Sequence, residues 1–70
     1  LFVDAKAQGQ GVGGKLVTHL QATQERLTLA VYQKNKRAIR FYQHHGFIIG
    51  NSQVDEATGE KEYLMTWEKN

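Results

Sequence analysis

The sequence predicts an α/β domain with its elements in the order β-α-β-α-β-β. Three observations predict it. Apolar residues recur at helical spacing in two separate windows. Short runs rich in β-formers stand before, between and after those windows. Glycine and asparagine fall where helices should open or close.

The elements follow in order. Leu1-Phe2-Val3 is an apolar triplet that reads as the inside of a strand. Residues 4–10 read as a polar loop beginning at Asp4. Residues 11–24 read as a helix, with Val12, Leu16, Val17 and Leu20 on one face. Gly11, Gly13 and Gly14 are poor helix formers, each costing about 1 kcal/mol against alanine. Their presence suggests that something must approach the backbone closely. Leu27-Thr28-Leu29-Ala30-Val31-Tyr32 is a second strand. Residues 35–45 read as a second helix, with Asn35 as its N-cap and Gly46 as its stop. Ala38, Phe41, Tyr42 and His45 share one face of it. Phe47-Ile48-Ile49 opens a third strand, residues 55–59 form a turn, and residues 62–67 form a fourth strand. On that last strand Tyr63, Met65 and Trp67 face one way, and Leu64 and Thr66 the other.

Size and composition narrow the function. A chain of 70 residues is a single domain, and at this size only about 60% of the unfolded surface is buried. Cysteine is absent, so disulfides and thiolate metal sites are excluded, and the chain suits a reducing cytoplasm. No apolar run approaches the roughly 20 residues of a membrane span. The net charge of +2 and pI of 9.1 are too mild to argue for nucleic acid, and suit an anionic ligand.

Gln8, Gly9, Gln10, Gly11, Val12, Gly13 and Gly14 follow a strand and open a helix. Free N–H groups at a helix N-terminus favour anions, and glycines let a phosphate come close. Gly9, Gly11 and Gly14 match a dinucleotide fingerprint, but the acidic residue expected about 20 positions on is missing from the second strand. Residues 9–15 match a P-loop as far as Lys15, yet Leu16 stands where a Mg²⁺-ligating hydroxyl is required. The third match is Q/R-x-x-G-x-G/A, through Gln8, Gly11 and Gly13. It resembles the acetyl-coenzyme A loop of the GNAT superfamily of N-acetyltransferases. Taken alone, the loop fits a ligand-free glycine turn equally well.

A second block decides between them. A strand ends, Asn35 opens a helix, Ala38 follows, then Phe41-Tyr42 and Gly46-Phe47 close the unit. This resembles the second GNAT block at the family's spacing, and the two blocks together cover residues 1–67. The chain looks like the C-terminal half of a small bacterial single-domain enzyme of this type. The resemblance implies a mixed sheet, and an acetyl-coenzyme A-dependent transfer to a primary amine, of a small molecule or a protein, by direct attack on the thioester. It assigns the pyrophosphate to the loop from Gln8 to Gly14, and the pantetheine arm to Asn35 and to the strand at Phe2 and Val3. A backbone N–H of that strand would polarise the thioester carbonyl. Tyr42 is implied as the general acid. A phenol near pKa 10 stays protonated at neutral pH and can donate to a thiolate, whose thiol lies near 8.5. Without the resemblance, Tyr42 reads as a core aromatic. No general base stands out, Asp4 and Glu25 being poorly placed.

Other residues have blander readings. His44 and His45 are neighbours and cannot share one site on a helix; no metal site is expected. His19 reads as solvent-facing. Lys34, Lys36, Arg37 and Arg40 read as a solvated face, and residues 55–62 as acidic turn surface. The resemblance also places the first strand mid-sheet, splayed from the second, with acceptor-shaping segments before Leu1. Either an N-terminal half is missing or the chain pairs as a homodimer. The alternative function is a non-catalytic acyl-coenzyme A-binding or interaction fragment.

Overall fold

The computed structural model describes residues 1–4 and 13–70, and of Asp4 the backbone alone. The elements are β1 (Phe2–Asp4), α1 (Gly14–Thr23), β2 (Arg26–Tyr32), α2 (Lys36–His44), β3 (Ile48–Val54) and β4 (Lys61–Glu68). The sequence-based order therefore holds. The sheet is mixed, in the order β1-β2-β4-β3. β1 runs parallel to β2, from Phe2↔Thr28 to Asp4↔Ala30. β4 lies between β2 and β3 and is antiparallel to both.

Alternation along β2 and β4 builds the core. Leu27, Leu29 and Val31 pair with Trp67, Met65 and Tyr63 on one face. Both helices cover this face: Val17 of α1 and Ile39 and Tyr42 of α2 join Leu27, Leu29, Val31, Phe47 and Met65 in one cluster. Gln21 ties the helices together by donating to His45 C=O at 2.7 Å. The opposite face carries the row Phe2–Thr28–Thr66–Ile48, in which Phe2 and Ile48 are 59% and 68% exposed.

Several expectations shift. Asp4 belongs to β1, because its backbone pairs with Ala30. β1 pairs with β2 over three residues and borders the described sheet. α1 begins at Gly14, with Gly13 as its N-cap. Leu16, placed on the apolar face, is half exposed, while Val17 is buried. Val12 lies outside the described residues. On α2 the buried pair is Ile39 and Tyr42, with Ala38, Phe41 and His45 at the margin. Ile39 joins the core cluster with Tyr42, and Ala38 and Phe41 pack against it. Phe47 precedes β3 and enters the core, whereas every residue of β3 itself is exposed.

Candidate functional site

α1 opens without a side-chain cap and without an acidic residue in its first turn. Its first intrahelical bond is Val17 N–H to Gly13 C=O at 3.0 Å, so the N–H groups of Gly14, Lys15 and Leu16 have no acceptor within the helix. Among the described residues, a Cβ built on Gly13 or Gly14 would meet nothing within 4 Å. The helix dipole and Lys15 add positive potential. This end suits an anion and leaves it room. Gln8, Gly9, Gln10, Gly11 and Val12 lie outside the described residues.

The β1–β2 ladder defines a second feature. Thr28 N–H donates to Leu1 C=O at 2.9 Å. With the parallel register, this turns Val3's N–H and C=O to β2 and Phe2's away from it. Val3's side chain packs on the core. On β2, Gln33 N–H donates to Lys61 C=O at 2.9 Å on the β4 side. Tyr32's N–H is thereby turned to the β1 side, two residues past Ala30 of the last described rung, Asp4↔Ala30.

Asn35 stands just beyond. Its carboxamide oxygen accepts from Ala38 N–H at 3.1 Å, and its own N–H donates to Tyr32 C=O at 3.0 Å. The capping role is real, and Asn35 is exposed. Since the oxygen faces the helix, the amide NH₂ is the group available to an arm-like ligand.

Tyr42 is 2% exposed. Its ring meets Phe41 edge-on at 5.1 Å and Phe47 at 5.6 Å. It is thus a core aromatic by packing, whatever its hydroxyl does.

The structure also exposes what pattern reading missed. Glu62 is not turn surface: it is 3% exposed, opposite Tyr32, and accepts from Gln53 at 2.9 Å. Tyr32 hydroxyl donates to Asp55 at 3.0 Å, and Gln33 donates to Ser52 Oγ at 2.6 Å. No local sequence signal marks these partners, because they meet through strand pairing across 9 to 23 residues. Lys36, Arg37 and Arg40 are exposed, and Lys34 pairs with Glu60. His19 and His44 are exposed, while His45 Nδ1 lies 3.0 Å from Phe41 C=O. Among the described residues, no group of three or more His, Cys, Asp or Glu could hold a metal, and no helix is long and apolar enough to cross a membrane.

Known proteins give the same pattern. Residues 1–49 match the model of the acetyltransferase (GNAT) domain. The chain is 39% identical over 67 residues to peptidyl-lysine N-acetyltransferase YiaC of Escherichia coli K12, covering 96% of this chain and 46% of that protein. It is 40% identical over 57 residues to peptidyl-lysine N-acetyltransferase YjaB of Salmonella typhimurium LT2, covering 80% and 39%. It is 39% identical over 54 residues to the 5-NmdU N-acetyltransferase of Pseudomonas phage PaMx11, covering 74% and 39%. No solved structure gives a significant match. The chain spans less than half the length of these relatives. With both blocks, the mixed sheet and these similarities in agreement, the chain belongs to the GNAT family of N-acetyltransferases.

Proposed function

We propose that this chain carries the acetyl-coenzyme A site of an N-acetyltransferase that modifies a primary amine. The observation that carries the reading is the N-terminus of α1, which has no side-chain cap and where a Cβ on Gly13 or Gly14 would meet none of the described residues within 4 Å. A pyrophosphate would be held there by backbone N–H groups and the helix dipole. The loop residues Gln8 to Val12 would complete that cradle. The amide of Asn35 would take the pantetheine arm alongside β1, near Phe2 and Val3. Acetyl-coenzyme A supplies the activated acyl group when bound. Tyr42 would act as general acid, its hydroxyl proton passing to the departing sulfur while the neutral amine attacks the carbonyl.

Two relatives are named for peptidyl-lysine, which favours a lysine side chain of a protein as the acceptor. The cytoplasm is the compartment where such a cosubstrate and a cysteine-free chain fit together. A fragment that binds acyl-coenzyme A without turnover is the second reading.

Isothermal titration with acetyl-coenzyme A, coenzyme A and NAD tests the reading. Saturable binding of both coenzyme A forms and none of NAD is expected. Absence of coenzyme A binding would sink it. Acetylation of a lysine peptide, followed by mass spectrometry, then separates an enzyme from a binding fragment.

A further inference from the structure

Three consecutive residues, from the last of β2 to the one before the α2 cap, each bond to the β3–β4 hairpin. Tyr32 hydroxyl reaches Asp55 at 3.0 Å. Gln33 Nε2 donates to Ser52 Oγ at 2.6 Å and to Glu62 C=O at 3.3 Å. Lys34 Nζ meets Glu60 at 3.1 Å. The next residue is Asn35.

The three ties differ in kind. Lys34 and Glu60 are exposed, and such pairs contribute little. Asp55 is bound into its own turn, accepting from Thr58, Gly59 and Ala57 N–H groups. Gln33 is different. Its backbone N–H donates to Lys61 C=O at 2.9 Å while its side chain spans to both hairpin strands. Ser52 is brought within reach by the register shift between Ile49 and Ser52. Asn35 meanwhile has φ −87° and ψ 73°, away from the extended conformation that N-cap residues usually adopt. The Asn35 conformation is an inverse γ-turn closed by Lys36 N–H to Lys34 C=O at 3.0 Å, and Gln33, two residues before Asn35, ties the point where this turn leaves the sheet to both hairpin strands.

We propose that Gln33, anchored on Ser52 and Glu62, is a positioning residue that sets the direction of the Asn35 amide toward the cofactor arm. The inference rests on the cofactor reading above. The hairpin then acts as a buttress for the cofactor side of the sheet as well as an edge of the core.

The experiment is a double-mutant cycle on the full chain, read by titration with coenzyme A and by thermal melting. Gln33→Leu is expected to weaken binding by about tenfold, with the fold retained because Gln33 lies outside the hydrophobic cluster. Asn35→Asp keeps the cap and removes the amide donors. With Asn35→Asp in place, Gln33→Leu should cause no further loss, because it acts through that amide. Ser52→Ala removes the same tie from its exposed end and should reproduce the loss, and Ser52→Thr should restore binding. Wild-type chain that fails to bind coenzyme A overturns the cofactor reading and this proposal together. Wild-type binding with an unchanged Kd in both Gln33→Leu and Ser52→Ala, or additive losses in the cycle, overturns this proposal alone.

Discussion

Tyr42 and Phe47 are joined through both backbone and side chain. Phe47 N–H donates to Tyr42 C=O at 3.0 Å, and the two rings meet edge-on at 5.6 Å. Gly46 N–H donates to Gln43 C=O at 3.0 Å, completing a Schellman turn with its hydrophobic contact. The turn that ends α2 therefore also fixes the ring of Tyr42 in the core.

This pairing separates packing from chemistry. Tyr42→Phe keeps the ring and should lower stability by only about 1 kcal/mol, leave coenzyme A binding intact, and cut kcat by about 10² or more. Phe47→Ala should cost about 3–5 kcal/mol, comparable to the whole stability of a domain this small. Denaturant melts and single-turnover assays on the two variants check both halves. Turnover unchanged in Tyr42→Phe would remove the acid role.

Gly46 has φ +90°, and a Cβ there would lie 3.2 Å from Trp67 Cδ1. Gly46→Ala should destabilise by about 1–2 kcal/mol from backbone conformation alone, with the tryptophan contact adding to it. Urea unfolding followed by Trp67 fluorescence reads both the stability and the displaced indole. Wild-type stability in this variant would mean that the turn can end the helix without a left-handed residue.

Gly13 offers a test in which stability and binding move in opposite directions. Its φ −69° and ψ 159° suit a side-chain cap, and its Cβ position meets none of the described residues. Gly13→Asp should raise stability by about 0.3–1 kcal/mol through capping and the helix dipole. The same carboxylate should repel a pyrophosphate and weaken coenzyme A binding by at least about tenfold. A variant that is stabilised and still binds normally would move the anion site away from α1.

At Asn35 the two roles come apart by choice of substituent. Asn35→Ala should cost about 1 kcal/mol by losing the bond to Ala38 N–H, and should also weaken cofactor binding. Asn35→Asp should keep the melting temperature near wild type while still losing affinity. Equal affinity in Asn35→Asp and wild type would leave capping as the residue's whole function.

Much of the fold was legible because the determining signals are local. Helical spacing placed Val17 and Leu20, strand alternation placed Met65 and Trp67, and Asn35 and Gly46 marked the ends of α2. The Ile39 error has a different origin. Four residues at proper spacing defined an apolar face, but in the fold the face is wider: Ile39 is buried beside Tyr42, while Ala38 and Phe41 pack at its margin. Glu62 was misread for a similar reason: an acidic residue next to a turn reads as surface until strand pairing puts Tyr32 and Gln53 beside it.

The sequence by itself determined the order of elements, the helix-ending residues and the two blocks that identify the family, since each is a matter of residue type and spacing along the chain. Only the tertiary structure decided that β4 lies between β2 and β3. It likewise decided that Gln33 reaches Ser52 and Glu62, and that both helices share one face and leave Phe2 and Ile48 on the other. Those are contacts between residues distant in sequence. They are set by which strand edges and apolar faces meet when the core closes, and no local pattern encodes that choice.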